Sequence, residues 1–440
     1  MNYAQALEYV ESLKNYGIVP GLSNIKELCG RLSNPQDSLS FVHIAGTNGK
    51  GSVLAFVSTV LKTAGYKVGR YVSPVISDYR EKIQINNRPI TQKALCECME
   101  EVKGACDGMV EDGLPHPTPF EVETALAFLY FKKNNCDIVV LETGMGGRED
   151  ATNLITTTKV AVLVPISMDH MQYLGKTVEE IAWQKAGIIK NGCYVISAKQ
   201  ETPVLQVIAK EAKERVASLT CVKDASKIKY GLEKQKFSYE TSSGTKLQDL
   251  EITLAGKHQV ENAAVAIEVV EKLACCGYTV SEKHLRKGLV ETVWPGRFQV
   301  MGKRPLFVMD GAHNEDAAKK LAESIRFYFT NKRIIYIMGI LKDKEYEKVI
   351  QITAPLASQI ITVATPGNPR ALPAVELAHA VSEVNPHVTS ADSLEEAVEM
   401  SYLFADKESV IVGFGSLSFL GDLMNIVENN RTVRSDTHGK

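Results

Sequence analysis

Ala45-Gly46-Thr47-Asn48-Gly49-Lys50-Gly51-Ser52 is the stretch on which the fold turns. Residues 40–45 before it (Ser-Phe-Val-His-Ile-Ala) are strand-like, residues 52–64 carry a helical pattern stopped by Gly65, and residues 67–72 form the next strand. A strand, glycine turn, helix and strand in so short a span make a βαβ unit, the building block of parallel sheets. Glycines let the backbone curl so that several N–H groups face one anion, and a helix N-terminus adds positive partial charge. Lys50 is placed to reach β- and γ-phosphate oxygens, and the Ser52 hydroxyl to meet Mg²⁺. The match to a general phosphate loop is imperfect, because only Thr47 and Asn48 separate the first two glycines and Gly51 stands between Lys50 and Ser52. A tight glycine turn is the competing reading. A dinucleotide site would need G-x-G-x-x-G, a spacing this loop lacks.

The alternation continues outward. Residues 2–14 carry Ala4, Leu7, Val10 and Leu13 at helical spacing. Residues 120–131 read as an apolar helix, 138–141 and 160–166 as strands, 178–186 and 260–273 as helices. Residues 220–256 change to short β-like runs with polar turns such as Ser242-Ser243-Gly244, which predicts hairpins. Trp294-Pro295-Gly296-Arg297 interrupts any regular element. Beyond it a second alternating pattern predicts strands at 306–309, 334–338, 359–363 and 410–412. The expected architecture is α/β: a larger domain over residues 1–296 with a mostly parallel sheet, a smaller Rossmann-like α/β domain over 297–428, and a polar, frayed tail over 429–440.

The composition limits partners. In 440 residues, 50 Lys and Arg face 52 Asp and Glu, a net charge of −2, so no whole-chain field attracts nucleic acid or anionic membrane. No apolar run approaches the ~18 residues that span a bilayer. The N-terminus lacks the basic start and apolar stretch of a signal peptide. The nine cysteines are scattered without a CxxC, and neither Cys96-Glu97-Cys98 nor Cys275-Cys276 has zinc spacing. Reduced thiols in a cytoplasm are expected.

Further motifs run the length of the chain. They are Ser73-Pro74, Thr118-Pro119-Phe120-Glu121, Glu142-Thr143-Gly144-Met145-Gly146-Gly147-Arg148 with Asp150-Ala151-Thr152-Asn153, Asp169-His170 and Lys185-Ala186-Gly187-Ile188. Gly256-Lys257-His258-Gln259 with Asn262, Trp294-Pro295-Gly296-Arg297, Asp310-Gly311-Ala312-His313-Asn314 and Gly415-Ser416-Leu417 follow. Together with the 46–52 loop they resemble the Mur ligase superfamily, in its folylpolyglutamate synthase/dihydrofolate synthase branch, over about residues 40–421. The resemblance implies an ATP-dependent ligase that adds L-glutamate to dihydropteroate, to the γ-carboxyl of folate, or to both. A carboxylate is a poor electrophile, and transfer of the γ-phosphoryl group turns it into an acyl phosphate with a good leaving group. Such transfer requires positioning and charge neutralisation.

The resemblance also assigns roles. Gly46, Thr47, Asn48, Gly49, Lys50, Gly51 and Ser52 would bind the ATP phosphates, Asn262 the adenine, Asp310 the ribose and Arg297 the phosphates from across the hinge. Ser52, Ser73, Glu142 and His170 would hold Mg²⁺. Lys185 would be carbamylated, its new carboxylate placing a second Mg²⁺. Glu142 follows an apolar strand, and the C-terminal end of a parallel strand faces the ligand crevice of an open sheet. His313 and Ser416 would meet the incoming glutamate, His313 binding its carboxylate or deprotonating its amine. Thr118, Phe120, Glu121, Glu149, Asp150 and Ala151 would form the pterin side. Phe120 and Asp150 would supply an apolar slot and a carboxylate, although Phe120 reads equally well as core. Lys50, His170, Lys185, Arg297 and His313 are the catalytic candidates.

The chain departs from the usual pattern at Ser73-Pro74-Val75-Ile76, where the family commonly has Ser-Pro-His-Leu. It departs again at Arg80-Glu81-Lys82-Ile83 and at Gln184, where Glu is usual. These positions bear on acceptor detail and on the carbamate. The competing functions are a Mur-type ligase for a peptidoglycan precursor, a non-catalytic ATP-binding relative and a dinucleotide oxidoreductase. Only 45 residues precede Gly46, too few for the nucleotide-sugar domain that peptidoglycan ligases carry there. The expected partners are small molecules alone, with the chain acting as a monomer.

Overall fold

The computed structural model describes residues 1–17 and 19–437. Among these residues seventeen strands fall into three sheets. The first eight are β1 (Phe41–Ala45), β2 (Val68–Tyr71), β3 (Ile83–Ile85), β4 (Arg88–Pro89), β5 (Ile138–Glu142), β6 (Thr158–Leu163), β7 (Tyr194–Ser197) and β8 (Ser218–Cys221). They form one sheet in the order β4-β3-β2-β5-β1-β6-β7-β8. Its strands are parallel from β2 to β8, and the β2–β3 and β3–β4 pairs are antiparallel. β1 and β2 are not neighbours, because β5 lies between them. The C-terminal ends of β5, β1 and β6 thus stand side by side.

The expected hairpins of residues 220–256 appear as a small antiparallel sheet of β9 (Ser226–Lys229), β10 (Gln235–Glu240) and β11 (Lys246–Ile252). The second alternating region forms a six-stranded sheet. Its strands are β12 (Gln299–Lys303), β13 (Leu306–Asp310), β14 (Ile334–Met338), β15 (Gln359–Thr362), β16 (Val388–Ser390) and β17 (Val410–Phe414). Their order is β12-β13-β17-β14-β15-β16, all parallel except the β12–β13 pair. The short strands β12 and β16 have no distinctive sequence pattern.

Why the phosphate-loop helix is fixed follows from its sequence. Helix Lys50–Thr63 buries every residue from Gly51 to Leu61. Helices His258–Ala274 and Glu282–Glu291 pack against it, and Phe56, Val57 and Val60 join the main core cluster with Val140 and Val162 of the sheet. Truncating Phe56 to Ala would cost about 3–5 kcal/mol. A helix held on all sides keeps its N-terminus, and so the loop before it, in one place.

Helix Gln92–Glu111 is absent from the sequence reading. It buries Leu95, Cys98, Met99, Val102, Cys106 and Met109 on one stripe, so Cys98 and Cys106 are core thiols. The polar tail expected from residue 429 is drawn instead as the end of helix Leu417–Thr437, and residues 438–440 lie outside the described residues. No helix among the described residues is long and apolar enough to cross a membrane.

Candidate active site

The 46–52 loop leaves the end of β1 and is pinned before helix Lys50–Thr63 begins. Thr47 and Asn48 donate their N–H groups to the Pro165 carbonyl (2.9 and 3.4 Å). Thr47 Oγ1 donates to the Ser167 carbonyl and accepts from the Ser167 N–H, both at 3.0 Å. Gly46 and Gly49 are required here. Both have positive φ (149° and 99°), and a Cβ would lie 2.2 Å from the Val164 side chain or 2.7 Å from Asn262 Oδ1. Lys50 Nζ curls over the loop, donating to the Gly46 and Thr47 carbonyls (3.2 and 3.3 Å) and lying 3.9 Å from Glu142 Oε1.

Around Lys50 opens a cavity of about 260 Å³ lined by residues of both large sheets' domains. From the first come Ser73, Glu142, Asp169 and His170, and from the second Arg297, His313, Lys344, Arg370 and Ser416. Glu142 ends β5 and is buried; burial pushes its carboxyl up to about 7 against the opposing pull of Lys50 and Arg297. His170 has a left-handed backbone (φ 50°) and sits 3.7 Å from Asp169 Oδ2. Burial lowers its proton affinity, with Asp169 acting the other way. Asp169 is paired across the interface with Lys344 at 3.7 Å. His313 donates from Nδ1 to the Gly311 carbonyl at 2.7 Å, because a carbonyl can only accept, which leaves a lone pair on Nε2. Burial, then Lys344, lowers its pKa to about 4. Ser416 Oγ accepts from the Ser418 N–H at 3.1 Å.

Lys185 does not line this cavity. It is buried, 3% exposed, with burial and then Lys50 lowering its amine to about 7.

A narrower cavity runs from the loop toward the second domain, lined by Asn48, Gly49, Ser52, His258, Asn262, Arg297, Phe298 and Asp310 among others. Asn48 Nδ2 donates across the interface to Asp316 Oδ2 (2.7 Å). Asn262 Nδ2 donates to Gln259 Oε1 (3.0 Å). The Asp310 carboxylate accepts from the Phe298 and Ala312 N–H groups (2.8 and 2.9 Å), which fixes the turn carrying Arg297. Burial, then Lys320, lowers His258 to about 3.

The third and largest cavity, about 850 Å³, contains Thr118, Phe120, Glu121, Glu149, Asp150 and Ala151. Several of these residues carry a second duty. Thr118 and Glu121 form a capping box, with Glu121 Oε2 accepting from the Thr118 N–H and hydroxyl, both at 2.8 Å. Asp150 accepts from the Met145 N–H, the Thr152 N–H and the Thr152 hydroxyl (2.8, 3.1 and 2.5 Å). Their polar atoms therefore brace the cavity wall. Phe120 is both wall and core, its ring 5.9 Å from that of Tyr71 and against Gly144.

The three cavities are continuous in their lining. The first two share Asn48, Gly49 and Arg297; the first and third share Ser73, Gly144, His170 and Arg370. Sequence reasoning gave no role to Asp169, Lys344, Arg370, His258 or the Val19-Pro20-Gly21 segment of the third cavity. Asp169 and His258 lie inside quoted motifs, whereas Lys344 and Arg370 stand in loops without a pattern.

The donors assigned to a metal are the Ser52 and Ser73 hydroxyls, the Glu142 carboxylate and the His170 imidazole. Among the described residues no group of three or more His, Cys, Asp or Glu converges. Three of these four donors are oxygens, the ligand type of Mg²⁺, which is usually held by one or two carboxylates plus substrate phosphates; the His170 nitrogen is the less usual member.

The Mur ligase middle domain matches residues 44–270, and the Mur ligase glutamate ligase domain matches residues 296–417. The dihydrofolate synthase/folylpolyglutamate synthase of Bacillus subtilis (strain 168) is 36% identical over 427 residues, 96% of this chain and 98% of that protein. The folylpolyglutamate synthase of Lacticaseibacillus casei is 35% identical over 378 residues, 85% of this chain and 88% of that one. Among solved structures, Mycobacterium tuberculosis folylpolyglutamate synthase complexed with ADP and AMPPCP superposes with a TM-score of 0.88 at 29% identity, covering 97% of this chain and 99% of that one. The E. coli FolC complex with DHPP and ADP superposes with a TM-score of 0.85 at 29% identity, covering 98% and 99%.

Proposed function

The chain belongs to the Mur ligase family, in its folylpolyglutamate synthase/dihydrofolate synthase branch, and from that premise we propose how its three cavities divide the work. The protein is an ATP-dependent ligase that joins the amine of L-glutamate to a pteroate or folate carboxylate. The narrow cavity by Asn262 and Asp310 takes the nucleoside, the central cavity takes the phosphates and glutamate, and the largest takes the pterin acceptor. The observation that carries this reading is the shared lining. Arg297 belongs to both nucleotide and central cavities, and Ser73 and His170 to both central and acceptor cavities.

The chemistry follows from the residues. The acceptor carboxylate attacks the γ-phosphorus and ADP leaves, with Lys50 and Arg297 balancing the charge on the transferred group. The glutamate amine, once deprotonated, attacks the acyl carbon, and collapse of the tetrahedral adduct expels phosphate. His313, with its free Nε2 lone pair, accepts the amine proton or holds the glutamate carboxylate beside Ser416. Ser52, Ser73, Glu142 and His170 would hold Mg²⁺, and a carbamylated Lys185 would supply a carboxylate for a second ion. The metal, when bound, neutralises phosphate charge. Two domains lining one cavity keep water from the acyl phosphate when they close.

In this reading the ligase acts as a monomer on small-molecule substrates. Residence in the cytoplasm fits nine cysteines that are all free thiols. The test is incubation with ATP, Mg²⁺ and glutamate, offering dihydropteroate and tetrahydrofolate separately and following ADP release and product mass. ADP release with no glutamyl unit on either acceptor would refute the reading.

A further inference from the structure

Of the four residues shared by the central and acceptor cavities, Ser73, Gly144 and His170 belong to the first domain, and Arg370 alone comes from the second. Its backbone is fixed. The Arg370 N–H donates to Asn368 Oδ1 (3.0 Å), its carbonyl accepts from the Lys342 N–H (2.8 Å), and Ala371 bridges to Leu341. Its guanidinium is loosely committed. Nη1 donates to Asp343 Oδ2 at 3.0 Å, with the two side chains 59% and 42% exposed. An ion pair this exposed is worth little, so the guanidinium exchanges Asp343 for another carboxylate at small cost. Asp343 itself lines the acceptor cavity, which shows that this fork already accepts a carboxylate there. By contrast, Lys344 is paired with Asp169 and lines only the central cavity.

The two acceptor classes differ in one respect that matters at this junction. Dihydropteroate has a single carboxylate, on its benzoyl ring, and that carboxylate is the one that reacts. An acceptor already carrying glutamate has two, and while the γ-carboxylate is activated the α-carboxylate stays ionised a few bonds away. It enters a space that already holds Glu142 and Asp169, so it needs a cation of its own. Resting on the cavity assignment above, we propose that Arg370 receives this non-reacting α-carboxylate and so sets the preference for glutamylated acceptors over pteroate. A planar fork suits a carboxylate that must be held in one orientation while its neighbour reacts.

The experiment compares wild type, Arg370→Ala and Arg370→Lys on three acceptors. These are dihydropteroate, tetrahydrofolate, and a tetrahydrofolate analogue whose glutamate is replaced by γ-aminobutyrate, which keeps the reacting carboxylate and lacks the α-carboxylate. In Arg370→Ala the KM for tetrahydrofolate should rise roughly 10–100-fold, the loss of a charge-assisted pair. The rise on the other two acceptors should be at least tenfold smaller, by roughly that same energetic argument. The wild-type preference for glutamate over γ-aminobutyrate should collapse in this variant and return in part with lysine. Equal losses on all three acceptors, a change confined to the KM of free glutamate or ATP, or an unmutated enzyme that glutamylates dihydropteroate and not tetrahydrofolate would each overturn the assignment. Wild type that glutamylates no acceptor would instead overturn the functional reading on which the assignment rests.

Discussion

Lys185 Nζ donates a hydrogen bond to the Gly46 carbonyl at 2.8 Å, joining helix Val178–Ala186 to the first residue of the phosphate loop. The amine is buried and its proton affinity is lowered to about 7, chiefly by burial and then by Lys50. A neutral amine is the form that adds CO₂, so ¹³C-bicarbonate should give a carbamate resonance in the wild-type protein. The signal should be lost in Lys185→Ala, together with most of the activity. A wild-type spectrum without that resonance, recorded on active enzyme, removes the carbamate.

Lys50→Ala should lower kcat by roughly 10²–10³-fold or more, the cost of losing one preorganised charge at the transferred group. Its thermal midpoint should stay near wild type, because helix Lys50–Thr63 is held by buried residues from Gly51 onward. Near-normal turnover would take Lys50 out of the mechanism.

Gly144→Ala tests the acceptor wall. A Cβ there would lie 2.6 Å from the Phe120 ring, so the ring must shift. Overpacking of this kind costs about 1–3 kcal/mol. The KM for the pterin acceptor should rise, because the shifted ring narrows the slot, while the KM for ATP moves little. Equal changes in both would place Phe120 outside the acceptor site.

His258 and His313 give the stability a defined pH dependence. Burial lowers them to about 3 and about 4, against 6.5 for a free histidine. Below pH 6.5 the unfolded chain takes up protons that the folded chain refuses, so stability is full above that value and falls as the pH drops toward 4. The thermal midpoint of wild type should decline over this window, and His313→Gln should decline less steeply. Parallel curves for the two proteins would mean that His313 is not held neutral by the fold.

The legible parts of the molecule share a physical cause. Strand β14 and helix Val178–Ala186 coincide with the expected residues because a buried strand is a uniform apolar run and a capped helix has sharp ends. Thr177 caps that helix with Glu180. The positions of Gly46 to Ser52 and of Glu142 are equally legible, since both lie where strands stop. Helix Gln92–Glu111 escapes because two members of its buried stripe, Cys98 and Cys106, are cysteines, and Cys96-Glu97-Cys98 invites comparison with metal spacing before core packing. Lys344 and Arg370 escape for another reason. Their place is set by how the second domain meets the first, and no local periodicity encodes that meeting. The capping duty of Thr118 and Glu121, by contrast, is local and legible, because Thr118-Pro119-Phe120-Glu121 carries the Ser/Thr-x-x-Glu pattern of a capping box.

The Asn48 amide belongs to the phosphate loop, and through Asp316 it also belongs to the second domain's helix Glu315–Tyr328. If the loop holds nucleotide as proposed, this contact makes nucleotide occupancy and domain position a single linked equilibrium. By reciprocity, whatever factor closure adds to ATP affinity, ATP adds to closure. An acceptor that draws the second domain inward raises the affinity for nucleotide without touching it. Under the same linkage release of products would run in reverse, and the rate of opening would set an upper bound on turnover however fast the chemistry became.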